Sequence, residues 1–197
     1  LVETFAQQVA IAIDNVRLFK ETKEALGQQT ATSEILRVIS QSQTDVQPVF
    51  DTIARAAHDL CGATSANVFT FDGELVHLAA VVQADPGLVA GMHQRFPRPP
   101  SRDTAITRAI LTQSVIAIPD VLEDREYLIG THSLAGGFRS VLAVPLMRDG
   151  NAIGGITVGR AEPGAFPETQ VELLKTFADQ AVIAIQNAHL FREIAAK

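Results

Sequence analysis

Displaced by 172 positions, the first 21 residues of this chain fall on a near-copy of themselves close to its other end. Leu1 to Glu21 and Leu173 to Glu193 are identical at twelve of those 21 positions. The identities include Thr4-Phe5-Ala6 with Thr176-Phe177-Ala178, Ile11-Ala12-Ile13 with Ile183-Ala184-Ile185, and Leu18-Phe19 with Leu190-Phe191. Two unrelated amphipathic helices share scattered Leu and Ala, but not whole triplets in one register. The pattern predicts the closing helix of two consecutive copies of one domain, with only the tail of the first copy included. Residue 1 is Leu and the first residues are already amphipathic, which agrees with a piece cut from a longer polypeptide.

Residues 1–26 and 168–197 contain neither Gly nor Pro and are rich in Ala, Leu, Gln, Glu and Lys. Each is therefore expected to be a long helix, although the Ile-Ala-Ile runs taken alone resemble buried strands. Around Ala181 to Ile185 the second helix is apolar on nearly every side, whereas a helix lying on one sheet needs a single stripe. Two covered faces are expected, one on its own sheet and one on a neighbour, and a homodimer through the terminal helices is the predicted assembly. Its contact residues are expected to be Phe5, Val9, Ala12 and Val16 on the first helix, and Phe177, Ala181, Ala184 and Ala188 on the second. The competing arrangement folds the incoming helix over the outgoing one within a single chain. Residues 27–43 read as a helical linker. Ile11, Leu18, Ala25, Thr32 and Ile39 at one heptad position, with Asn15, Thr22, Gln29 and Leu36 at the other, form a seam that is polar for half its length. Gly27 offers a place to bend it, and an exposed spacer helix without a partner fits the same residues.

Asp45 is a plausible N-cap with Pro48 in the first turn of the next helix, whose buried stripe is Phe50, Ile53, Ala54, Ala57 and Leu60, ended by Gly62. Residues 65–71 and 75–83 flank Asp72-Gly73, and residues 141–148 and 152–159 flank Asp149-Gly150-Asn151, so two antiparallel hairpins are predicted. A short strand over 115–118 stops at Pro119, preceded by a short helix over 104–112 entered through Ser101 or Asp103. The remainder is loop and helical connection, notably residues 96–100 and 123–137. Helix, hairpin, helices, strand, loop, hairpin and long helix make an α+β domain with one antiparallel sheet.

Sixteen Lys and Arg stand against 22 Asp and Glu, a formal charge of −6 with no basic cluster, so nucleic acid and anionic membrane are poor partners. The lone thiol, Cys61, provides neither a disulfide framework nor a CxxC metal site and suits a reducing cytoplasm. Uninterrupted apolar runs are a few residues long, against the roughly 20 that span a bilayer. A cytoplasmic, soluble segment without membrane contact is expected.

The element order, the Ser140-Val-Leu-Ala-Val-Pro-Leu146 strand running through Asp-Gly into Ile153-Gly-Gly-Ile-Thr-Val158, the Ile118-Pro-Asp-Val121 stop and the Phe177-Ala-Asp-Gln-Ala helix together resemble a GAF domain. The likeness covers about residues 44–192, with 1–26 similar to the closing helix of a preceding GAF domain and 193–197 an outgoing signalling helix. It is most similar to tandem GAF modules of bacterial sensor histidine kinases and related two-component signalling proteins. The resemblance implies a sheet of about five to six strands, terminal helices on one face, and a pocket on the other roofed by helices and loops. It also implies a noncatalytic sensor that relays a helix displacement to an output domain. A structural dimerisation module with no physiological ligand is the alternative.

Catalytic motifs are absent. No GxxxxGK[ST] exists, and Gly150, Gly154, Gly155 and Gly159 follow no GxGxxG spacing at a strand-to-helix turn. The five His residues form no HxxxH or HxxEH pair, so no metal is expected. Cys61 ends an amphipathic helix and reads as a small buried hydrophobe. Three specialised chemistries of the family are tested residue by residue. Covalent bilin attachment generally uses a Cys just before a His, where this chain has Thr131-His132. The cyclic-nucleotide pattern Asn-Lys…Phe-x3-Asp-Glu is replaced by Gly159-Arg160 and, near Phe166, Gln170-Val171. Methionine-sulfoxide reduction needs several Cys residues. No cofactor is expected, and what remains is a noncovalent pocket for a small molecule. Its candidate residues are His77, Arg102 and Asp103, Tyr127, His132 and Arg139, each of which also fits an ordinary surface or loop-closing role. The two arginines of Phe96-Pro-Arg-Pro-Pro-Ser-Arg102 stand on a stiff loop suited to clamping an anion.

Overall fold

Period-two alternation along the Val- and Phe-rich segments builds a single antiparallel sheet. Its strands are β1 (Ser65–Phe71), β2 (Val76–Gln83), β3 (Ile116–Ile118), β4 (Ser140–Arg148) and β5 (Asn151–Arg160). They are arranged β2-β1-β5-β4-β3, five strands among the described residues. The computed structural model describes residues 2–42, 45–128 and 137–195, and for 2–5 and 192–195 the backbone only. Both Asp-Gly turns close hairpins. Asp149 at φ 51° and Gly150 at φ 79° adopt the double left-handed conformation that matches the twist of the flanking strands, pairing Arg148 with Asn151. At the other hairpin, Asp72 Oδ1 accepts from the Glu74 and Leu75 amides at 2.8 and 2.7 Å.

One face of the sheet carries Ala66, Val68, Leu142, Val144, Leu146, Ile156 and Val158. Against it lie α2 (Gln47–Cys61), through Val49, Phe50, Ile53 and Ala57, and the long closing helix α5 (Glu168–Ala195), through Leu174, Phe177, Ala181 and Ala184. The opposite face is covered by α3 (Pro86–Arg95), α4 (Ala105–Thr112) and the segment around Tyr127. Because successive strand residues point to opposite faces, each strand contributes to both layers.

The incoming helix α1 (Val2–Gln41) runs through Gly27 without a break. That glycine marks a close approach: a Cβ there would stand 3.3 Å from Leu60 Cδ2 of α2. Beyond it, Ile35 and Ile39 are buried in the core, whereas residues 6–26 are exposed throughout. At 1.5 Å per residue the stretch from residue 2 to 26 projects about 37 Å from the domain. Gly27 beside Leu60 makes α1 antiparallel to α2, and the bond from Gln170 Nε2 to the Cys61 carbonyl makes α5 antiparallel to α2. Helices α1 and α5 therefore run in the same direction, and the chain enters the domain at one end and leaves at the other.

Three local expectations shift. Asp45 serves α2 from one position earlier, its Oδ1 accepting from the Gln47 amide at 2.9 Å while Val46 occupies the cap position. Helix α4 is capped by Thr104, whose side chain accepts from the Thr107 amide, because Ser101 and Asp103 are engaged with Arg98. Helix α3 stands within what the sequence left as connection, capped by Asp85 with Pro86 in its first turn.

Candidate functional site

Between the sheet and helices α3 and α4 lies a cavity of about 190 Å³. Its floor is the cavity-facing side of β1 and β5, with Ser65, Asn67 and Phe69 next to Thr157 and Gly159. Its roof is α3, through Leu88, Met92 and Arg95, and one side is closed by Ile106, Tyr127 and Phe138. Two glycines of α3, Gly87 and Gly91, present bare backbone to it, and a Cβ on Gly91 would meet no atom within 4 Å. On the floor the glycines serve the opposite purpose. A Cβ at Gly155 would stand 2.3 Å from Ile106 Cδ1, and one at Gly159 would stand 2.8 Å from Phe138 Cγ. The small residues of β5 thus let Ile106 and Phe138 descend onto the sheet, while Gly91 of α3 leaves space open.

The cavity is mainly apolar, with Phe69 and Phe96 packed as a tilted ring pair at 4.8 Å between centroids. Directly opposite one another in the β1–β5 ladder stand two polar side chains, Asn67 and Thr157. Asn67 Nδ2 donates to Thr157 Oγ1 at 3.2 Å, and among the described residues its buried Oδ1 has no hydrogen-bond partner.

Around this cavity, charged side chains are consumed in pairs that fasten the 120–127 segment. Arg108, 7% exposed, donates to both carboxylate oxygens of Asp124 at 2.8 and 3.1 Å and to the Arg102 carbonyl at 3.1 and 2.9 Å. Arg102 grips Glu126 with two bonds of 2.7 and 2.9 Å, and Arg139 holds Asp120 through both oxygens. The guanidinium bonds hold Asp120, Asp124 and Glu126 below their ordinary carboxylate values. For Asp103, burial pushes upward but the Ser101 and Arg98 hydrogen bonds prevail and hold it low.

Of the six residues singled out from sequence, Tyr127 is on the cavity wall. Arg102, Asp103 and Arg139 belong to the clasps just described and do not line it. His77 sits in the β1–β2 hairpin, 2.7 Å from Asp72 Oδ2, and does not line it either. Bonds from the Leu75 amide, the His77 ring and the Glu74 amide lower Asp72 to about 2. His132 lies outside the described residues. Sequence reasoning missed Asn67, Thr157 and Arg95. The first two interrupt apolar strands on one side of the alternation, which was the available signal.

Cys61 stands on the helix-covered side of the sheet, 3% exposed, its thiol pushed up to about 12 by burial. It is held as a neutral thiol, not as the reactive thiolate. Among the described residues, no group of three or more His, Cys, Asp and Glu is placed to hold a metal ion, and no helix is long and apolar enough to cross a membrane.

A family model described as "GAF domain" matches residues 43–186. Among solved structures, a methyl-accepting chemotaxis protein segment is 25% identical, covers 82% of this chain and 98% of its own, and has a TM-score of 0.64. The GAF domain of an Acinetobacter phosphoenolpyruvate-protein phosphotransferase is 16% identical, with 84% of this chain and 97% of that chain covered and a TM-score of 0.67. The free methionine-R-sulfoxide reductase of Neisseria meningitidis, solved with its substrate, is 18% identical over 85% of this chain and 93% of that chain, with a TM-score of 0.68.

Proposed function

Because this chain belongs to the GAF domain family of sensory and regulatory modules, we propose that it is a noncatalytic sensor that binds one small molecule noncovalently in the cavity under α3 and α4. The observation that carries this reading is the shared sheet. Asn67, Phe69 and Thr157 face the cavity, while their neighbours Ala66, Val68, Ile156 and Val158 form the bed of α2 and α5. A ligand that shifts β1 and β5 therefore shifts the surface under the outgoing helix, and close packing passes that displacement on. The ion-paired 120–127 segment adds a wall that Tyr127 carries over the bound molecule.

The parent protein in this reading is a cytoplasmic bacterial signalling protein of the tandem-GAF type, with a sensor histidine kinase or related output domain. The repeated helix and the common direction of α1 and α5 both suit a serial array. A metabolite screen by thermal unfolding tests the sensor role, since a ligand that binds only the folded state raises the midpoint by mass action. A midpoint unmoved by any metabolite, in a folded protein, would leave the dimerisation module as the better account.

That second reading has its own observation. Phe177, Ala181, Ala184 and Ala188 are buried in the chain's own core, so they are unavailable to another copy, and the side chain of Phe5 lies outside the described residues. What α5 leaves exposed is Ile183, Leu190 and Phe191, and α1 exposes the matching Ile11, Leu18 and Phe19. We propose that homodimerisation uses this second stripe, in parallel helices, an arrangement compatible with a sensor as well as with a purely structural module. Sedimentation equilibrium of the Ile183→Glu, Leu190→Glu double variant tests it. The expected result is a dimer that becomes a monomer, and a monomeric parent chain at high concentration would refute it.

A further inference from the structure

The cavity carries more information than its presence. Among the described residues on its wall there is no Asp, Glu, Lys or His, and one charged side chain, Arg95. The arginines nearby in sequence and space are neutralised: Arg98 by Asp103, Arg102 by Glu126, Arg108 by Asp124 and Arg139 by Asp120. Arg95, half-buried in the last turn of α3, has no carboxylate partner among the described residues. A cation placed on an apolar wall without a counter-charge gains most from an anion brought by the ligand, and a guanidinium matches a carboxylate through two parallel hydrogen bonds.

Resting on the reading that this cavity binds a small molecule, the geometry points to a small monocarboxylate with an apolar body as its ligand. The carboxylate pairs with Arg95. The body lies along Met92, Ile106 and the Phe69–Phe96 ring pair. The cavity of about 190 Å³ has room for a body the size of a short fatty acid or a single-ring acid. A phosphate monoester dianion fits less well, because one guanidinium leaves its second charge uncompensated in an apolar setting. A bare cation is repelled by Arg95, and a neutral isostere forgoes the ion pair.

The experiment measures binding of the full 197-residue chain to phenylacetate, hexanoate, phenylacetamide and phenyl phosphate by ligand-observed NMR and calorimetry. Both carboxylates are expected to bind at least about tenfold more tightly than the amide and the phosphate ester, the ratio a charge-assisted pair supplies. Arg95→Gln is expected to bring the carboxylates down to the amide's affinity while leaving the amide unchanged, and Gly91→Leu to abolish binding of all four by filling the space. Equal affinity for amide and carboxylate, or a preference that survives Arg95→Gln, overturns the monocarboxylate assignment. If Gly91→Leu still abolishes binding in that case, the cavity reading stands without it. If no probe binds at millimolar concentration, the monocarboxylate assignment falls while the metabolite screen decides the cavity reading; if Gly91→Leu leaves binding untouched in a folded protein, the cavity reading falls and the assignment falls with it.

Discussion

Replacing Gly91 by Leu asks the fold and the function one question each. Gly91 is a helix-interior residue of α3 at the cavity wall, and its backbone meets no atom within 4 Å where a Cβ would stand. Removing a glycine from a helix interior gains about 0.8 kcal/mol from the smaller loss of backbone freedom. Burying a leucine completely gains about 1.5–3 kcal/mol, and the half-buried position realises about half of that. The sum is a stabilisation of about 1.5–2.5 kcal/mol, which for a chain of this size is a rise of about 3–10 °C in the unfolding midpoint. Thermal unfolding by circular dichroism, with and without millimolar phenylacetate, is the assay. The variant is expected to melt higher than the parent and to lose the parent's ligand-induced rise. A lower midpoint would mean that the space above Gly91 is not open, and a higher midpoint with the ligand effect intact would place binding elsewhere.

Strand β5 responds in the opposite sense: a Cβ at Gly154 would stand 2.2 Å from the Phe69 carbonyl oxygen. Because backbone must move, Gly154→Ala is expected to cost about 3 kcal/mol in urea unfolding. Asp120, Asp124 and Glu126 are held below their ordinary values of 3.8, 3.8 and 4.5, so their stabilisation is fully present above those values and disappears as pH falls through the lower folded ones. Arg108→Met is expected to cost about 2–3 kcal/mol at neutral pH and to shrink the acid loss, both read from unfolding curves across a pH series. With its thiol at about 12 and buried, Cys61 is expected to react with a disulfide reagent only at the rate of unfolding, and Cys61→Ser to cost about 1 kcal/mol without altering ligand binding. The purified protein is expected to be colourless, and an absorption band surviving denaturation would contradict noncovalent binding.

How much of this was legible follows from which interactions are local. Asp149-Gly150 between alternating apolar runs specifies its hairpin within a few residues: β4 ends at Arg148 as expected, β5 begins one residue earlier than expected, and both reach one residue further at the ends away from the turn. Helix α3 carried its start signal, Asp85-Pro86, but Gly87 and Gly91 lower its propensity and its apolar Leu88 and Met92 face a cavity, so the usual buried stripe is missing. For the site, sequence drew attention to charge, and charge is what the fold uses to close its own loops. Arg102 and Glu126, 24 positions apart, or Arg139 and Asp120, 19 apart, become partners only when β4 and α4 bring their ends together. The cavity is lined mostly by residues that look like ordinary core, and Arg95 stands out only because its neighbours are already paired.

The repeat gains physical meaning from the environments of its two copies. A shift of 172 carries Ala181, Ala184 and Ala188, each buried to within 3% against their own domain, onto Val9, Ala12 and Val16, which are exposed. The same face is thus covered by the sheet in one copy and exposed in the other. A second set behaves differently: Ile183 and Leu190, at 42% and 55%, map onto Ile11 and Leu18, at 55% and 54%, identical residues exposed in both copies. At 100° per residue this stripe lies on the far side of each helix from the sheet-binding face. The two faces therefore differ in their surroundings. In the proposed array the first is filled by a preceding domain's sheet and the second by the matching helix of another copy, so a dimer forms without any domain surrendering its core. A helix held on one side by a sheet and on the other by its twin moves when the sheet moves. In that proposal, occupancy of the cavity reaches the paired helices through the sheet they share with it.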